Sequence, residues 1–598
     1  MELDEVFRYL GNWGRHQTFI FIFMNIFCCV FPGWLTMSVI FFTADPEDYH
    51  CTPPEGYYPN ETIPGLVDGD GVDRVDKCNM YVVDNEGIVT GNLTTCLNGW
   101  DYETTVTGET TMITDFDLVC DKSLLAEIAA SLFMGGVLVG ALPIGQIPDI
   151  VGRKPVFFVS LIVEVVVGVG LVFAWNYYAI LVLWVLAGMF REGLFATGFC
   201  ILMEMYVPEK RALVGSLLNV IWGISMTTLA GVAYIFPNWR HMQLFMSLIL
   251  LLALPFYKLT QESVRWLISQ GRIEEAEDVL QYVAKFNKIS SPPKRFLQEL
   301  DELKLVNDQI GDEHKTNLQI DDDTKEVHKT TKGGYDKLYD QTKETNQRES
   351  KKSYENKYDA LEDEKTNTKL KQHTFLDLFR TPVLLKISMI LFVNCFANSI
   401  VYYGLSLDSS HLAGNKYLNF FLLGLVEIPA YICAYISMEK VGRRLSMVVT
   451  LIIAGVACII TACTPETTDS GESLRPLIIT FAMIGKFMIS YSFAVLFIYT
   501  PELMPTVVRN AGLGLVSFAL RVGGVLAPYV IYLERVGKYL PLTILGIISI
   551  VAGILSILLP ETRNRPLPET IEDGEKIYQT KAIPRERMLS IVPSDFDK

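Results

Sequence analysis

Over most of its length this chain is short of charge. Only 20% of its 598 residues are charged, and twelve apolar stretches are long enough to cross a bilayer. Runs of that kind exclude an ordinary soluble core and predict an all-α, polytopic membrane protein. The signatures of catalysis are missing too. There is no phosphate loop, no cluster of metal ligands and no nucleophile elbow, so neither an enzyme nor a cofactor or metal is expected. A cleavable signal peptide is also lacking. The first 17 residues carry mixed charge and no small-residue cleavage site follows the first apolar run, so the first span is expected to act as its own insertion signal.

The apolar stretches fall near 18–42, 125–147, 155–175, 178–203, 213–235, 241–259, 383–405, 416–437, 445–463, 475–498, 511–532 and 539–559. Two groups of six emerge: 1–259 and 383–559, joined by a polar loop over 260–382 and followed by a tail over 560–598. The net charge of −16 sits mostly in loops and tails. It makes a nucleic-acid partner unexpected but says little about a substrate. With the N-terminus inside, the short inner loops hold Arg153, Lys154, Lys210, Arg211, Lys440, Arg443, Arg444 and Arg509. The outer ones hold only Arg240, Lys416, Arg475, Arg535 and Lys538. That excess predicts two cytoplasmic termini.

The loop over 43–124 carries Cys51, Cys78, Cys96 and Cys120, with sequons at Asn60 and Asn92. Four cysteines in an outer loop predict two disulfides, with three pairings open, in a small glycosylated cap. Residues 1–17 place Leu3, Val6, Phe7 and Leu10 on one helical face and are expected to lie on the inner membrane surface. After the sixth span, Ala276, Val279, Leu280, Val283 and Ala284 mark an amphipathic helix. The segment near 300–372 has too few large aliphatic residues to fold and is expected to be a disordered insert.

A few charges do enter the apolar runs. Arg521 lies near the middle of the eleventh, where an arginine costs about 2.5–3.5 kcal/mol and usually faces a polar path. Glu164, Arg191, Glu192 and Glu204 lie in the third and fourth runs, and Glu427 in the eighth, beside Pro429. Arg191 and Glu192, being adjacent, point about 100° apart on a helix and are expected to find partners elsewhere. Glu204, near the inner end, suits a gating salt bridge.

The chain also repeats itself. Val151-Gly152-Arg153-Lys154 returns as Val441-Gly442-Arg443-Arg444, Tyr206-Val-Pro-Glu as Tyr499-Thr-Pro-Glu, and Glu262-Ser263 as Glu561-Thr562, all about 290–300 residues apart. The turn GQIPDIVGRK (Gly145 to Lys154) resembles the signature of the major facilitator superfamily, with Ile150 and Pro148 as departures from it. The resemblance implies two six-helix halves with the substrate bound between them. It also implies latches from Asp149, Arg153, Lys154, Glu204 and Arg211 in one half, and from Glu439, Arg443, Arg444, Glu502 and Arg509 in the other.

Further motifs resemble solute carrier family 22, the polyspecific organic cation, organic anion and carnitine transporters. They are LVCD (Leu118 to Asp121), ESVRWLISQGR, YYGLSLD (Tyr402 to Asp408), VEIPAYI (Val426 to Ile432), PELMPTVVRN (Pro501 to Asn510), RVGGVLAPY (Arg521 to Tyr529) and PETRNRPLPET (Pro560 to Thr570). Gln261 and Val264 stand where that family has prolines. In the family's cation branch the position of Arg521 resembles an aspartate site, and in the carnitine and anion branches an arginine site. Tyr431 occupies the place of a lysine in the anion exchangers.

The resemblance therefore implies a monomeric transport unit in the plasma membrane, carrying a small organic ion or zwitterion, carnitine-like compounds first. The expected site is Arg521, Glu427, Tyr431, Tyr402, Tyr403 and Trp222. A carboxylate on Arg521 and an ammonium near Glu427 and the aromatic faces would fit a zwitterion. Alternatively Arg521 and Glu427 pair with each other as a brace. An organic cation or anion carrier of the same fold, and a non-transporting receptor or adaptor, are the alternatives. The coupling ion, sodium or a proton, is open.

Overall fold

The computed structural model describes residues 3–576 except 12, 68–72, 85–87, 104–107, 290–374, 411–414, 466, 469–471, 564, 566 and 569. The insert near 300–372 and the end of the tail lie outside the described residues. Among those described, eleven helices are long and apolar enough to span a membrane. In chain order they are Arg15–Phe42, Cys120–Val151, Arg153–Phe173, Tyr177–Met205, Glu209–Ile235, Trp239–Lys258, Pro382–Leu407, Lys416–Lys440, Arg443–Cys463, Arg475–Leu503 and Thr506–Arg535. The twelfth apolar run forms a shorter helix, Leu540–Ser556. Its 17 residues give about 26 Å at 1.5 Å per residue, close to the hydrocarbon thickness. Helices dominate because a spanning segment must satisfy its own backbone hydrogen bonds.

Two spans depart from a regular α-helix. Asn25–Val30 winds as a π-helix just ahead of Pro32, and Asn25 donates from its side chain to the Phe21 carbonyl at 2.6 Å. Leu250–Lys258, which contains Pro255, tightens into a 3₁₀ helix, the local adjustment that a missing backbone N–H requires.

Small residues let the spans approach. A Cβ at Gly136 in the second span would enter the Val185 backbone of the fourth, and one at Gly188 would enter the Phe133 carbonyl in return. The two six-span groups meet along the fifth and eighth spans and along the second and eleventh. At the first of these seams a Cβ on Gly424 would come within 2.6 Å of the Thr227 amide nitrogen. Close backbone approach through small residues is the usual means of helix association in lipid, where burial gives little driving force.

The loop after the first span folds on one face of the bundle, here called the loop face. Three antiparallel ladders pair Asp48–Cys51 with Trp100–Glu103, Gly65–Val67 with Asp73–Val75, and Asn79–Val83 with Val89–Thr95. The disulfides are Cys51–Cys96 and Cys78–Cys120, one of the three pairings left open above. Tyr102 donates to Asp117 at 2.9 Å, and burial together with that bond pushes its phenol up. Asn60 and Asn92 are both exposed. Peptide mapping without reduction is expected to recover the 51–96 and 78–120 links. Removing either by serine substitution is expected to cost the loop about 2–5 kcal/mol, read as lower surface abundance.

On the opposite, terminal face the first helix, Leu3–Tyr9, packs its apolar side on protein. Val6, Phe7 and Leu10 are buried with Val264, Trp266, Leu267, Leu280 and Val283 of the helices after the sixth span. Its charges follow: Asp4 pairs with Arg265, and Arg8 with Glu209 at 2.5 Å.

Candidate functional site

Two pieces of polar structure stand out, one at the terminal face and one near mid-span. At the terminal face the sequence repeat becomes a structural one. Gly152 and Gly442 adopt φ of 113° and 101°, a turn open to glycine and strained for other residues. Each turn aims its following amide groups at a carboxylate. Arg153 and Lys154 donate backbone N–H groups to Glu262 at 3.0 and 3.2 Å; Arg443 and Arg444 donate to Glu561 at 2.9 and 3.0 Å. These carboxylates sit at helix N-termini, where orphan amides and the helix dipole favour them.

The arginine side chains repeat as well. Arg153 reaches Glu204 at 3.0 Å and the Pro148 carbonyl at 3.0 Å, and Arg443 reaches Glu502 at 3.0 Å and the Met438 carbonyl at 3.0 Å. Arg211 donates to the Tyr206 carbonyl at 3.0 Å and Arg509 to the Met504 carbonyl at 3.3 Å. Lys154 rests its ammonium on the Tyr257 ring, 4.3 Å from the centroid. Asp149 pairs with Arg153 at 2.8 Å but is mostly exposed, while Glu439, its counterpart, is exposed and makes no ion pair among the described residues. Arg444 is exposed too. Where the expected latch residues form ion pairs, they do so inside their own half, and Glu262 and Glu561, visible in the sequence only as part of the repeat, are the carboxylates that cap the two turns.

The mid-span cluster differs from expectation in three respects. First, Arg521 does not pair with Glu427. Its guanidinium bonds Glu192 of the fourth span, across the interface between the halves. Second, Arg191 and Glu192, although adjacent, do touch: Arg191 Nη1 lies 3.4 Å from Glu192 Oε2. The long guanidinium bends back over the 100° that separates the two side chains, so Glu192 is shared by two arginines. Third, Glu427 pairs with Lys486 of the tenth span at 3.0 Å, both side chains 1% exposed. Lys486 is a lone lysine in an apolar run, as legible as Arg521, and belongs in the expected set beside it. The seventh-span Ser406 accepts from Lys486 at 2.7 Å.

Between these two charged centres runs a continuous aromatic bridge. The Arg191 guanidinium lies 5.9 Å from the Trp222 ring centroid. Trp222 Nε1 donates to the Tyr402 hydroxyl at 2.7 Å, and that hydroxyl contacts Glu427 at 2.9 and 3.1 Å. Tyr431 donates to Glu427 at 3.1 Å. Tyr403 packs edge-on against Tyr402, centroids 5.5 Å apart, and within 3.4 Å of the position a Cβ would take at Gly524 in the eleventh span. All six expected site residues therefore gather in one region, and Arg191, Glu192, Lys486 and Ser406 join them.

The two centres differ in saturation. Both oxygens of Glu427 are engaged. The arginine centre is incomplete: among the described residues, Nε of Arg191 and Nε of Arg521 are buried without a hydrogen-bond partner. Arg521 is also the more open member of its pair, 17% exposed against 6% for Glu192. An unpaired buried donor costs about 1–3 kcal/mol, which an incoming anionic acceptor would recover.

The contacts that join the halves toward the loop face are polar and aromatic. Lys416 pairs with Glu109, Arg535 with Asp45 at 3.6 Å, and Ser131 donates to the Val525 carbonyl at 2.9 Å. Phe41 stacks on Tyr417 at 5.7 Å.

The Major Facilitator Superfamily model matches residues 93–528 and 418–592. An organic cation transporter protein of Drosophila melanogaster is 33% identical across 98% of this chain and 96% of its own. Organic cation/carnitine transporter 2 of Mus musculus is 30% identical across 97% of this chain and 95% of its own. Among solved structures, the inward open form of the xylose transporter XylE from E. coli superposes with a TM-score of 0.53 at 13% identity, covering 76% of this chain and 90% of that one; the likeness is one of fold. These relatives are transporters, not enzymes. With the paired halves, the repeated turns and a charged mid-span cluster between them, the chain belongs to the major facilitator superfamily, as a solute carrier family 22 transporter of the organic cation/carnitine type.

Proposed function

We propose that this protein carries small organic zwitterions, carnitine-like compounds first, across the plasma membrane by alternating access, as a monomer with both termini cytoplasmic. One observation carries the substrate reading: among the described residues, Arg521 and Arg191 each keep a buried Nε without a hydrogen-bond partner, beside the carboxylate they share, Glu192. Two guanidiniums with vacant donors beside the carboxylate they share suit a substrate carboxylate held in a bidentate manner. The trimethylammonium end of such a substrate would then face the Trp222 and Tyr403 rings, since cations are attracted to aromatic faces. The relative named for carnitine agrees with this choice of substrate class.

In the transport cycle the terminal-face turns keep each half rigid, because their ion pairs close within one half. Rocking breaks and remakes the pairs that join the halves at the loop face and the Arg521–Glu192 bond. A simple organic anion is the second reading, supported by the internal neutralisation of Glu427 by Lys486, which leaves that carboxylate no free oxygen for a substrate ammonium.

Uptake of labelled carnitine, a quaternary cation and a dicarboxylate in oocytes tests both readings. Carnitine uptake above that of the other two is expected. Uptake of the dicarboxylate alone would favour the anion carrier, and uptake of none in a surface-expressed protein would return the receptor alternative. Replacing sodium and varying external pH in the same assay assigns the coupling ion.

A further inference from the structure

We propose that Glu164 of the third span is a proton site: it holds a proton while a substrate carboxylate occupies the arginine centre and releases it when that centre is empty, so that substrate and proton cross together. This coupling presupposes the transport of a carboxylated substrate set out above. Glu164 is 1% exposed, and among the described residues its Oε2 has no hydrogen-bond partner. A buried carboxylate left in that way is costly, so the acid keeps its proton while it lacks a partner. Its depth matches that of the arginine centre. Arg153 and Glu204 tie the third and fourth spans together at the terminal face. Counted from that pair at 1.5 Å per residue, Glu164 stands about 16 Å along its helix and Arg191 about 20 Å along its own. The same side of the third span meets its neighbours one turn to either side. A Cβ at Gly193 of the fourth span would strike Ser160, and one at Gly168 would enter Ser247 of the sixth. Arg191, whose contact is with Glu192, acts on Glu164 through space and has a buried Nε to spare.

Few other ionisable groups share this depth. The fourth span brings Arg191 and Glu192, and the first brings the thiols of Cys28 and Cys29, both in the field of Arg191. The sixth span has its ionisable groups at its ends, Arg240 and His241 at one and Tyr257 and Lys258 at the other. The second has Asp121, Lys122 and Glu127 at one end and Asp149 at the other. Glu427 and Lys486 cancel each other. The charge balance at mid-span therefore turns on Glu164. When it is protonated, Arg191 and Arg521 share Glu192 as their one acid, and a substrate carboxylate restores neutrality. When the substrate departs, the spare donor of Arg191 is free for the second acid, and the proton leaves Glu164 for water on the side then open. Proton and carboxylate thus favour each other's binding, and the coupling is reciprocal.

Carnitine uptake into proteoliposomes holding the full chain, with a pH dye trapped inside, tests the coupling. Acidifying the outside is expected to raise uptake at limiting carnitine roughly tenfold, within the usual range for coupled sites, and added carnitine is expected to acidify the interior. Glu164→Gln keeps the shape of the acid but holds no titrating proton, so the pH dependence and the acidification should both disappear. Glu164→Asp should recover part of each. Counterflow of carnitine, which needs no net proton movement, reports that the variants are folded. Proton influx that persists in Glu164→Gln, or wild-type uptake of carnitine without proton influx, overturns the proposal. If Glu164→Gln does not fold, a carbodiimide applied to wild type decides, because it adds to a buried carboxyl only in the protonated form. Its label at Glu164, mapped by mass spectrometry, is expected to rise severalfold with carnitine; equal labelling with and without carnitine overturns the proposal. Absence of wild-type carnitine uptake refutes the zwitterion reading alone. The same measurements are then read with the dicarboxylate, one of whose carboxylates supplies the same charge, and a protein that carries neither overturns both ideas.

Discussion

Arg521→Ala is expected to abolish uptake of carboxylated substrates while leaving the protein at the cell surface. A guanidinium that donates to a buried carboxylate contributes about 1.5–3 kcal/mol per hydrogen bond. Losing the arginine should therefore lower uptake at limiting substrate by roughly a hundredfold. The fold is expected to survive because Glu192 keeps Arg191, 3.4 Å away, and is not left as an uncompensated buried charge. Arg521→Lys keeps the charge but loses the planar fork, so an intermediate loss is expected. Surface biotinylation alongside uptake separates lost transport from lost protein. Unchanged carnitine uptake in Arg521→Ala would remove Arg521 from the binding site.

The second large effect concerns the pair at the loop face. Glu109 is 6% exposed and Lys416 15%, so Lys416→Glu sets two carboxylates together with little water between them. Breaking a buried pair costs about 3–5 kcal/mol, and repulsion adds to it. Because the pair joins the loop to the other half, the expected outcome is loss of the conformation closed at that face. A cysteine at Ser131, buried at the seam between the second and eleventh spans, should react faster with an impermeant thiol reagent in Lys416→Glu than in the parent, and uptake should fall severalfold. The exchanged variant, Glu109→Lys with Lys416→Glu, should recover most of both. Equal labelling in all three would mean that the pair does not hold this face closed.

How much of this was legible depends on which physical constraint each feature obeys. The spans were readable because lipid tolerates neither bare backbone nor stray charge, and the twelve apolar runs fall where the helices lie. The repeat was readable because the same glycine turn is needed twice: Gly152 and Gly442 each require a positive φ. What those turns bind was not, since Glu262 and Glu561 lie about 110–120 residues further along the chain and only folding brings them in.

Pairing across the halves was the least legible. A sequence shows that Arg521, Glu192, Glu427 and Lys486 interrupt apolar runs, but not the rotation of each helix about its axis. That rotation sends Arg521 to Glu192 and Glu427 to Lys486, where Arg521 and Glu427 had looked like natural partners. The first helix illustrates the same limit. Its apolar face was plain in Val6, Phe7 and Leu10, yet whether it met lipid or the helices around Leu280 was a question of tertiary structure. The disulfides were a matter of connectivity, which four cysteines cannot specify by themselves.

On the proposed function, the arginine centre receives the carboxylate of the substrate. The most direct test is competition against carnitine uptake by a carnitine-like acid and by its neutral amide, in wild type and in Arg521→Lys. If the carboxylate sits on the guanidinium, wild type prefers the acid to the amide by at least about tenfold, and the lysine variant shows a much smaller preference. An acid-to-amide ratio that is the same in both proteins would contradict the claim.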